Sequence, residues 1–281
     1  WRPENYTGKF YGPIRLREAL VQSVNLVSIK LLREIGIPLT QNYLSRFGFS
    51  KPRLAPDLSL ALGSSSFSPA EMVRAFSILA HSKDPKDLFF IERIEDRNGK
   101  TIFQNSQLEN KKDNIDAFPW FRTQLTEEIK PFYLLPPLSR ESFKPIDPRV
   151  AFITKDILRE ALSRGSNRKK VQVLNRSDIA GKTGTTNDAI STWFSGFHNN
   201  LVTTVWVGTD DFSSLGDNEF GSSIALPVWV DFMKTALPTL PEEDWKIPKG
   251  LSYVRVDRET GQPVDDTSQN SYFELFFDED I

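Results

Sequence analysis

The sequence contains 281 residues, of which 39% are hydrophobic and 26% are charged, with 21 Phe and 6 Trp. This composition is typical of a globular chain with enough apolar material for a core, and it argues against disorder. The formal net charge of −2 gives no indication of binding to nucleic acid or to an anionic membrane surface. The absence of cysteine excludes disulfides, thiol nucleophiles and thiolate metal sites. The two histidines, His81 and His198, lie far apart without a ligand pattern, which argues against a zinc site and a Ser-His-Asp triad.

The first residue is Trp1 rather than Met, and neither a signal peptide nor a long apolar stretch follows it. We therefore expect the chain to start inside a longer gene product. Any targeting signal or membrane anchor would lie upstream of Trp1, and the protein would contact the membrane only through that missing N-terminal anchor.

The first predicted elements are helices. Apolar residues recur at helical spacing both before and after a Ser-Val-Asn string, in which Ser23 and Asn25 compete with the helix by bonding to local backbone. Residues 14–35 are therefore predicted to form two helices, of which the second ends at Gly36. A third helix is predicted over residues 40–47.

Two later helices have clear start signals. Ser68 can cap a helix that begins with Pro69, and Glu71 can reach back to close a capping box. Asp147 before Pro148 marks a second such start, for a helix that runs to the glycine at position 165. Apolar residues at helical spacing follow both starts, so each helix is predicted to pack one face against a core.

Strand-like segments form two clusters. Residues 89–95 and 101–104 flank an Asn-Gly pair, which favours a hairpin turn. The second cluster is a predicted antiparallel meander of three runs: residues 179–186, 192–198 and 201–208. A helix over 224–237 is predicted to pack against the meander, and residues 259–261 carry a second hairpin signal.

We divide residues 1–281 into four segments of one predicted domain. These are a helical part with the first hairpin, an irregular proline-bearing insertion, a part with the meander and its helices, and a tail: residues 1–106, 107–146, 147–240 and 241–281. No internal repeat is evident.

The most informative string is Lys182-Thr183-Gly184, which Gly181 precedes. It could end a phosphate-binding loop, but that loop requires a glycine where the sequence has Arg176. On an edge strand, the string would instead place a cation and hydroxyl groups along the wall of a cleft, and Gly184 would let a ligand backbone approach closely. This arrangement suits a peptide carboxylate laid antiparallel against the strand.

The Ser23-Val24-Asn25 string alone more often reflects local structure than chemistry. The penicillin-recognising serine enzymes carry three motifs, S-x-x-K, S-D-N and K-T-G. Together with the Lys-Thr-Gly string, the Ser23-Val24-Asn25 string resembles the second and third of these motifs. Longer stretches are similar to class A penicillin-binding proteins, in particular to their 1A type: residues 1–6, 12–25, 60–64, 181–188, 193–196 and 205–208. The resemblance covers nearly the whole chain apart from the insertion. One small departure is Ser191-Thr192, where the family commonly has Asp-Ala.

The resemblance implies an α+β transpeptidase fold, in which helices flank an antiparallel sheet. It also implies that a serine attacks the D-Ala-D-Ala peptide of peptidoglycan, releases the last D-Ala and passes the acyl group to an amine on a neighbouring strand. β-Lactams mimic that dipeptide and trap the acyl-enzyme. The chemistry requires no cofactor and no metal ion.

The nucleophile is the large departure from the family pattern. The S-x-x-K motif lies upstream of SxN in the family, so we expect it, and the N-terminal part of the fold, to be missing from this chain. One literal match exists from Ser166 to Lys169, but it lies in a basic loop and in the wrong order. We do not assign the nucleophile to Ser166, and we expect this chain alone to be inactive.

The resemblance assigns catalytic roles to three residues. Ser23 would relay a proton to the leaving amine, together with the missing lysine. Asn25 would hydrogen-bond the acyl side chain of the substrate. Lys182 would supply positive potential for the substrate carboxylate and support Ser23. If these residues form one site, the Ser23 hydroxyl and the Lys182 ammonium should lie about 2.7–5 Å apart.

Substrate binding is assigned to the strand that carries Lys182. The hydroxyl groups of Thr183 and Thr185 would bind the carboxylate, and Gly184 would allow close approach of the peptide. The Thr185 backbone N–H would form half of the oxyanion hole, and the N–H of the missing serine would form the other half. Thr183 and Thr185 should share a face of the strand.

Other functions with the same motifs stay open at this point. A D,D-carboxypeptidase or β-lactamase-type hydrolase shares them, and so does a non-catalytic β-lactam sensor. The implied partners are peptidoglycan stem peptides, as D-Ala-D-Ala donor and as amine acceptor, and β-lactam antibiotics. The resemblance implies that the protein works at the periplasmic or extracytoplasmic face of the bacterial inner membrane. It also implies that the complete protein carries a glycosyltransferase activity.

Overall fold

The computed structural model of the protein describes residues 2–81, 88, 91–104, 146–186, 189–217, 219–265 and 269–281. The chain divides into two compact units, one of Trp1–Lys83 with Lys144–Ile281 and one of Asp84–Phe143. Nearly all of the predicted insertion lies outside the described residues, so the division into four segments stays a prediction.

The first unit begins with three short helices: α1 (Leu16–Val21), α2 (Asn25–Ile35) and α3 (Ile37–Leu44). The predicted break between α1 and α2 is confirmed. The predicted start of α3 at residue 40 is wrong by three positions, because Pro38 fits the first turn of a helix, where no backbone N–H is needed. A single 3₁₀ turn, Ser45–Phe47, continues from α3 and ends at Gly48, which adopts a left-handed conformation.

Two longer helices follow: α4 (Pro69–His81) and α5 (Pro148–Ser163). The capping box before α4 is confirmed, because the Ser68 N–H donates to Glu71 Oε2 at 2.8 Å and the Glu71 N–H donates to Ser68 Oγ at 3.3 Å. At α5, the Asp147 carboxylate accepts from the Arg149 N–H at 2.8 Å. No helix in the described parts of the chain combines the length and the apolarity needed to cross a membrane.

The described part of the second unit contains the first predicted hairpin. Its strands are β1 (Arg93–Glu95) and β2 (Thr101–Gln104), paired antiparallel with an irregular register between Ile94 and Glu95. The turn contains Gly99 at a φ of 78°, as expected for an Asn-Gly turn. The strand predicted from residue 89 is therefore shorter than expected, and residues 89–90 lie outside the described ranges.

The predicted meander forms the central sheet of the first unit. Its strands are β3 (Ala180–Thr185), β4 (Ser191–His198) and β5 (Leu201–Gly208), paired antiparallel in that order. Among the described strands, β3 is therefore an edge strand, as expected for the Lys-Thr-Gly string. Lys182 pairs with Ser195 in the register between β3 and β4.

Helices cover both faces of this sheet, which confirms the predicted α+β architecture. Helix α4 packs on one face, α7 (Ala225–Ala236) packs on the other, and α5 lies against β3. Two clusters of buried apolar side chains pack on opposite faces of the sheet, one through Phe194 and the other through Phe197 of β4. Phe194 contacts Trp229 with ring centroids 4.8 Å apart, and Phe197 stacks on Trp245 at 6.0 Å.

The tail forms a second antiparallel pair, β6 (Leu251–Asp257) and β7 (Ser271–Phe277). The predicted turn is present, since the Asp257 carboxylate accepts from the Thr260 N–H at 2.8 Å. The strand that was expected to return directly from this turn is absent from the described residues. Among the described residues only one bridge, from Val256 to Pro263, follows the turn. Beside it, the Val264 N–H donates to the Arg255 carbonyl at 3.0 Å.

A buried ion-pair cluster connects this tail to α1 and α5. Arg17 on α1 is only 6% exposed. Its Nη1 lies 2.7 Å from Asp156 Oδ2 on α5, and its Nε donates to Glu274 Oε1 on β7 at 2.7 Å. Glu160 on α5 lies 3.3 Å from the same guanidinium. Charge pairing therefore holds the hairpin of the tail against the helix that leads into Ser23.

Candidate active site

The turn between α1 and α2 presents Ser23 to solvent. Ser23 has a φ of 55°, in the left-handed region that non-glycine residues rarely occupy. The Val24 N–H bonds back to the Ala19 carbonyl at 2.8 Å, and the Ser23 N–H bonds to the Leu20 carbonyl at 3.1 Å, so both close the end of α1. Val24 is buried, whereas the side chain of Ser23 is exposed.

Ser23 and Lys182 are in direct contact. Lys182 Nζ donates a hydrogen bond to Ser23 Oγ at 2.9 Å, although the two residues lie 159 positions apart in the sequence. The same ammonium donates to the Thr183 carbonyl at 3.1 Å. The predicted separation of about 2.7–5 Å between these groups is therefore confirmed.

The environment of Lys182 changes its acidity. Desolvation by burial lowers the pKa of Lys182 from 10.5 to about 8. At neutral pH the side chain is still mainly an ammonium, so it supplies positive charge to the cleft. Near pH 8 it can also release its proton at small cost, which lets it take part in proton transfer through Ser23.

Asn25 takes a different position from Ser23. It is the first residue of α2, and its amide Nδ2 donates to the Glu4 carbonyl at 3.0 Å. Asn5 Oδ1 accepts from the Leu26 N–H at 3.1 Å and so caps the same helix. The segment before α1 thus holds the start of α2. Sequence reasoning missed Asn5, because no local pattern links a cap to a helix 21 residues later.

The Lys-Thr-Gly strand has two distinct faces. Strand alternation places Thr183 and Thr185 on one face, as expected, and Lys182 with Gly184 on the other. A Cβ on Gly184 would lie only 3.2 Å from the Trp193 Cβ, so packing on β4 also favours glycine here.

The chain at Gly221 lies against the second half of this strand. The Gly221 N–H donates to Thr185 Oγ1 at 2.9 Å. A Cβ on Gly221 would come within 2.6 Å of the Gly184 carbonyl oxygen, so this approach requires glycine. The Thr185 hydroxyl is therefore oriented by the protein and keeps its own proton available to donate to a ligand.

A cleft opens between the end of α1, the end of α5, the loop after α5 and β3. It is lined by Val21, Gln22, Ser23, Ala161, Leu162, Ser166, Asn167, Gly181, Lys182 and Thr183. Ser166 belongs to the literal S-x-x-K match, and sequence reasoning did not place it beside Ser23 and Lys182. Lys169 of the same match is exposed on the short helix α6 (Arg168–Val171), and Ser166 lies outside that helix.

The described residues offer no metal centre, because no group of three or more His, Cys, Asp or Glu side chains is placed to hold an ion. The polar side chains that line the cleft are instead the Lys182 ammonium, the hydroxyls of Ser23, Ser166 and Thr183, and the amides of Gln22 and Asn167. Such a set suits an anionic ligand and proton transfer.

Comparison with protein families gives one match, the penicillin binding protein transpeptidase domain, over residues 1–233. Penicillin-binding protein 1A of Pseudomonas aeruginosa is 36% identical over 297 aligned residues, which cover 100% of this chain and 36% of that protein. Penicillin-binding protein 1A of Neisseria lactamica is 36% identical over 251 residues, which cover 89% of this chain and 28% of that protein. The chain thus spans about a third of the length of these relatives.

Solved structures give the same match. The crystal structure of penicillin-binding protein 1A from Haemophilus influenzae superposes with a TM-score of 0.80 at 31% identity and covers 99% of this chain and 42% of that one. The PonA1 protein of Mycobacterium tuberculosis, solved in complex with penicillin V, superposes with a TM-score of 0.65 at 20% identity, over 86% of this chain and 61% of that one. At that lower identity, the likeness concerns the fold alone.

Proposed function

Because the chain belongs to the penicillin binding protein transpeptidase domain family, we propose that it forms part of a D,D-transpeptidase that cross-links peptidoglycan stem peptides by serine acyl transfer. The observation that carries this proposal is the contact between Lys182 Nζ and Ser23 Oγ at 2.9 Å. It joins the two family motifs of this chain at one cleft.

In the proposed reaction, the nucleophilic serine comes from an S-x-x-K segment outside these 281 residues. Its Oγ attacks the carbonyl carbon of the penultimate D-Ala, and its proton passes to the lysine of the same segment. The peptide bond then breaks, and the terminal D-Ala leaves with a proton delivered through Ser23. An amine of a second stem peptide attacks the acyl-enzyme and restores the serine.

Lys182 and Ser23 act together in this scheme. The hydrogen bond from the ammonium orients the Ser23 hydroxyl, so that its proton points towards the leaving nitrogen rather than back at the lysine. The positive charge of Lys182 favours the carboxylate of the terminal D-Ala at the same end of the cleft. A lysine pKa of about 8 makes proton exchange through Ser23 possible near neutral pH.

The remaining roles lie on β3 and on α2. The hydroxyl groups of Thr183 and Thr185 are proposed to bind the carboxylate, and the Thr185 N–H to form half of the oxyanion hole. The bond from the Gly221 N–H supports this assignment, since it fixes Thr185 Oγ1. Asn25 is proposed to bind the acyl side chain of the donor peptide. Its Nδ2 is engaged by Glu4, so its amide oxygen would be the ligand-facing atom.

The cellular context follows from the substrate. Peptidoglycan is cross-linked outside the cytoplasm, so we propose that this domain works at the periplasmic or extracytoplasmic face of the inner membrane. From the resemblance to class A penicillin-binding proteins, we propose that the domain belongs to a bifunctional glycosyltransferase and transpeptidase. β-Lactams are the proposed inhibitors, as mimics of the D-Ala-D-Ala dipeptide.

The test compares three alanine variants of the full-length protein: Lys182→Ala at the cleft, and Arg168→Ala and Lys169→Ala at exposed positions of the short helix α6. Acylation by a fluorescent penicillin should fall about 10²–10³-fold for Lys182→Ala, because an electrostatic contact in the transition state is lost. The two exposed variants should react at the unaltered rate. Equal rates for all three would contradict the role of Lys182, and turnover of penicillin by the unaltered protein would favour a hydrolase instead.

A further inference from the structure

Two polar side chains in the cleft have no assigned role. Ser166 and Asn167 line the cleft together with Ser23, Lys182 and Thr183. Neither side chain makes a hydrogen bond to any other residue in the described parts of the chain. Their hydroxyl and amide groups are therefore available to a molecule that enters the cleft.

The loop that carries them is held from both ends. Before it, Arg164 pairs with Glu18 on α1 at 2.8 Å. Gly165 passes so close to the Val21 carbonyl that a Cβ there would lie 3.3 Å from that oxygen. After it, Lys170 Nζ donates to the Ser222 carbonyl at 2.6 Å.

The core also fixes this loop. Val171 is 6% exposed and belongs to the core cluster around Trp229. The Asn167 carbonyl accepts from the Lys170 N–H at 3.0 Å and so starts the short helix α6. Ser166 and Asn167 are thus presented by an ordered wall, which reduces the entropy lost when they bind a ligand.

The polar groups at this end of the cleft indicate which class of ligand it would bind. Ser166 and Asn167 share it with the Lys182 ammonium and with the Ser23 hydroxyl. Hydroxyl and amide donors beside a cation suit a carboxylate, which accepts several hydrogen bonds at once.

We propose that Ser166 and Asn167 are specificity-determining residues that donate hydrogen bonds to the terminal carboxylate of the donor peptide and to the equivalent carboxylate of β-lactams. This inference rests on the proposed function, and it adds two hydrogen-bond donors to the carboxylate site on β3. Ser166 is a binding residue here and forms no covalent bond.

The experiment compares benzylpenicillin with its methyl ester, which keeps the reactive ring and lacks the negative charge. The second-order rate constant of acylation is measured for the full-length protein and for Ser166→Ala, Asn167→Ala and Asn167→Asp. The matched control is Ser163→Ala, a serine on the last turn of α5 that does not line the cleft.

For Ser166→Ala and Asn167→Ala, acylation by the acid should fall about tenfold, while acylation by the ester should stay the same, because only the acid receives the lost bond. Asn167→Asp should penalise the acid further through like-charge repulsion. Ser163→Ala should match the unaltered protein with both probes.

Two results would overturn the inference while leaving the proposed function intact. One is an unchanged rate with the acid in Ser166→Ala and Asn167→Ala. The other is an equal loss with acid and ester, since a merely structural role would slow both probes alike. If the unaltered full-length protein forms no acyl-enzyme with benzylpenicillin, the proposed function fails, and this inference fails with it.

Discussion

The Lys182 ammonium donates a hydrogen bond to the Ser23 hydroxyl oxygen at 2.9 Å, and burial has removed much of its hydration. Lost hydration disfavours the charged form, and this is the largest cause of the lowered pKa. The residue therefore changes charge within the pH range in which enzymes are normally assayed, whereas the pKa of an ordinary lysine is 10.5.

A pH dependence follows from this charge change. The ammonium is present below about pH 8 and is lost as the pH rises through that value. We expect acylation of the full-length protein by benzylpenicillin to fall above about pH 8, because the carboxylate then loses its cation. A pH–rate profile from pH 6 to pH 10 measures this, with Lys182→Arg as the comparison, since arginine stays charged throughout. A rate that stays level up to pH 10 would contradict the assignment.

Sequence reasoning reached the residues of the site unevenly. The break at Ser23 followed from local physics, because Ser and Asn side chains compete with the helix by bonding to nearby backbone. The contact with Lys182 came from resemblance, since no local rule joins residues 159 positions apart. The position of Ser166 in the cleft was not predicted from the sequence. Its position depends on packing of its loop against α1, and no sequence pattern reports such packing.

At the scale of elements, the tail is part of the fold that supports the site. The hairpin of β6 and β7 lies beyond residue 233, where the family match ends. Leu251 and Leu275 nevertheless belong to the core cluster that contains Ala180 at the start of β3. Through Glu274, the same hairpin holds Arg17, which lies on α1 just before the Ser23 turn.

Glu274→Gln should destabilise the chain by about 2–4 kcal/mol, because it leaves the buried Arg17 with one fewer carboxylate. The matched control is Glu279→Gln in the turn that follows β7, whose pair with Arg149 is exposed, with Glu279 59% accessible. That change should cost much less, because water and salt screen an exposed ion pair. Urea unfolding of both variants measures the difference. Equal midpoints would show that the buried cluster contributes little.

The element boundaries show where local rules stop. Capping at Ser68 and Asp147 was predictable, because the cap and its partner lie within three residues. The partner of β6 was not predictable, since the turn at 259–261 returns the chain for only one bridge. The longer ladder with β7 depends on tertiary packing of Leu275 and on the charge of Glu274.

At the scale of the whole molecule, the described chain provides two walls of the proposed acyl-transfer site and one literal match to the S-x-x-K string, from Ser166 to Lys169. That string is split by structure, because Ser166 lies before α6 and Lys169 lies within it. The lysine is exposed, and Lys182 already pairs with Ser23 rather than with Ser166.

The 281-residue chain alone should therefore form no covalent adduct with a labelled penicillin. Intact-mass spectrometry after prolonged incubation decides this, and the full-length protein serves as the positive control. A mass increase on any residue of the 281-residue chain, including Ser166, would show that the chain carries its own nucleophile.

The left-handed backbone of Ser23 has a practical consequence for anyone who engineers this domain. A non-glycine residue held at a φ of 55° stores strain of about 1 kcal/mol or more. Glycine at this position would release the strain and remove the hydroxyl in a single substitution. A screen that rewards heat resistance alone would thus enrich sequences that lack the proposed proton relay at position 23. Directed evolution of the domain needs a penicillin-labelling step in every round.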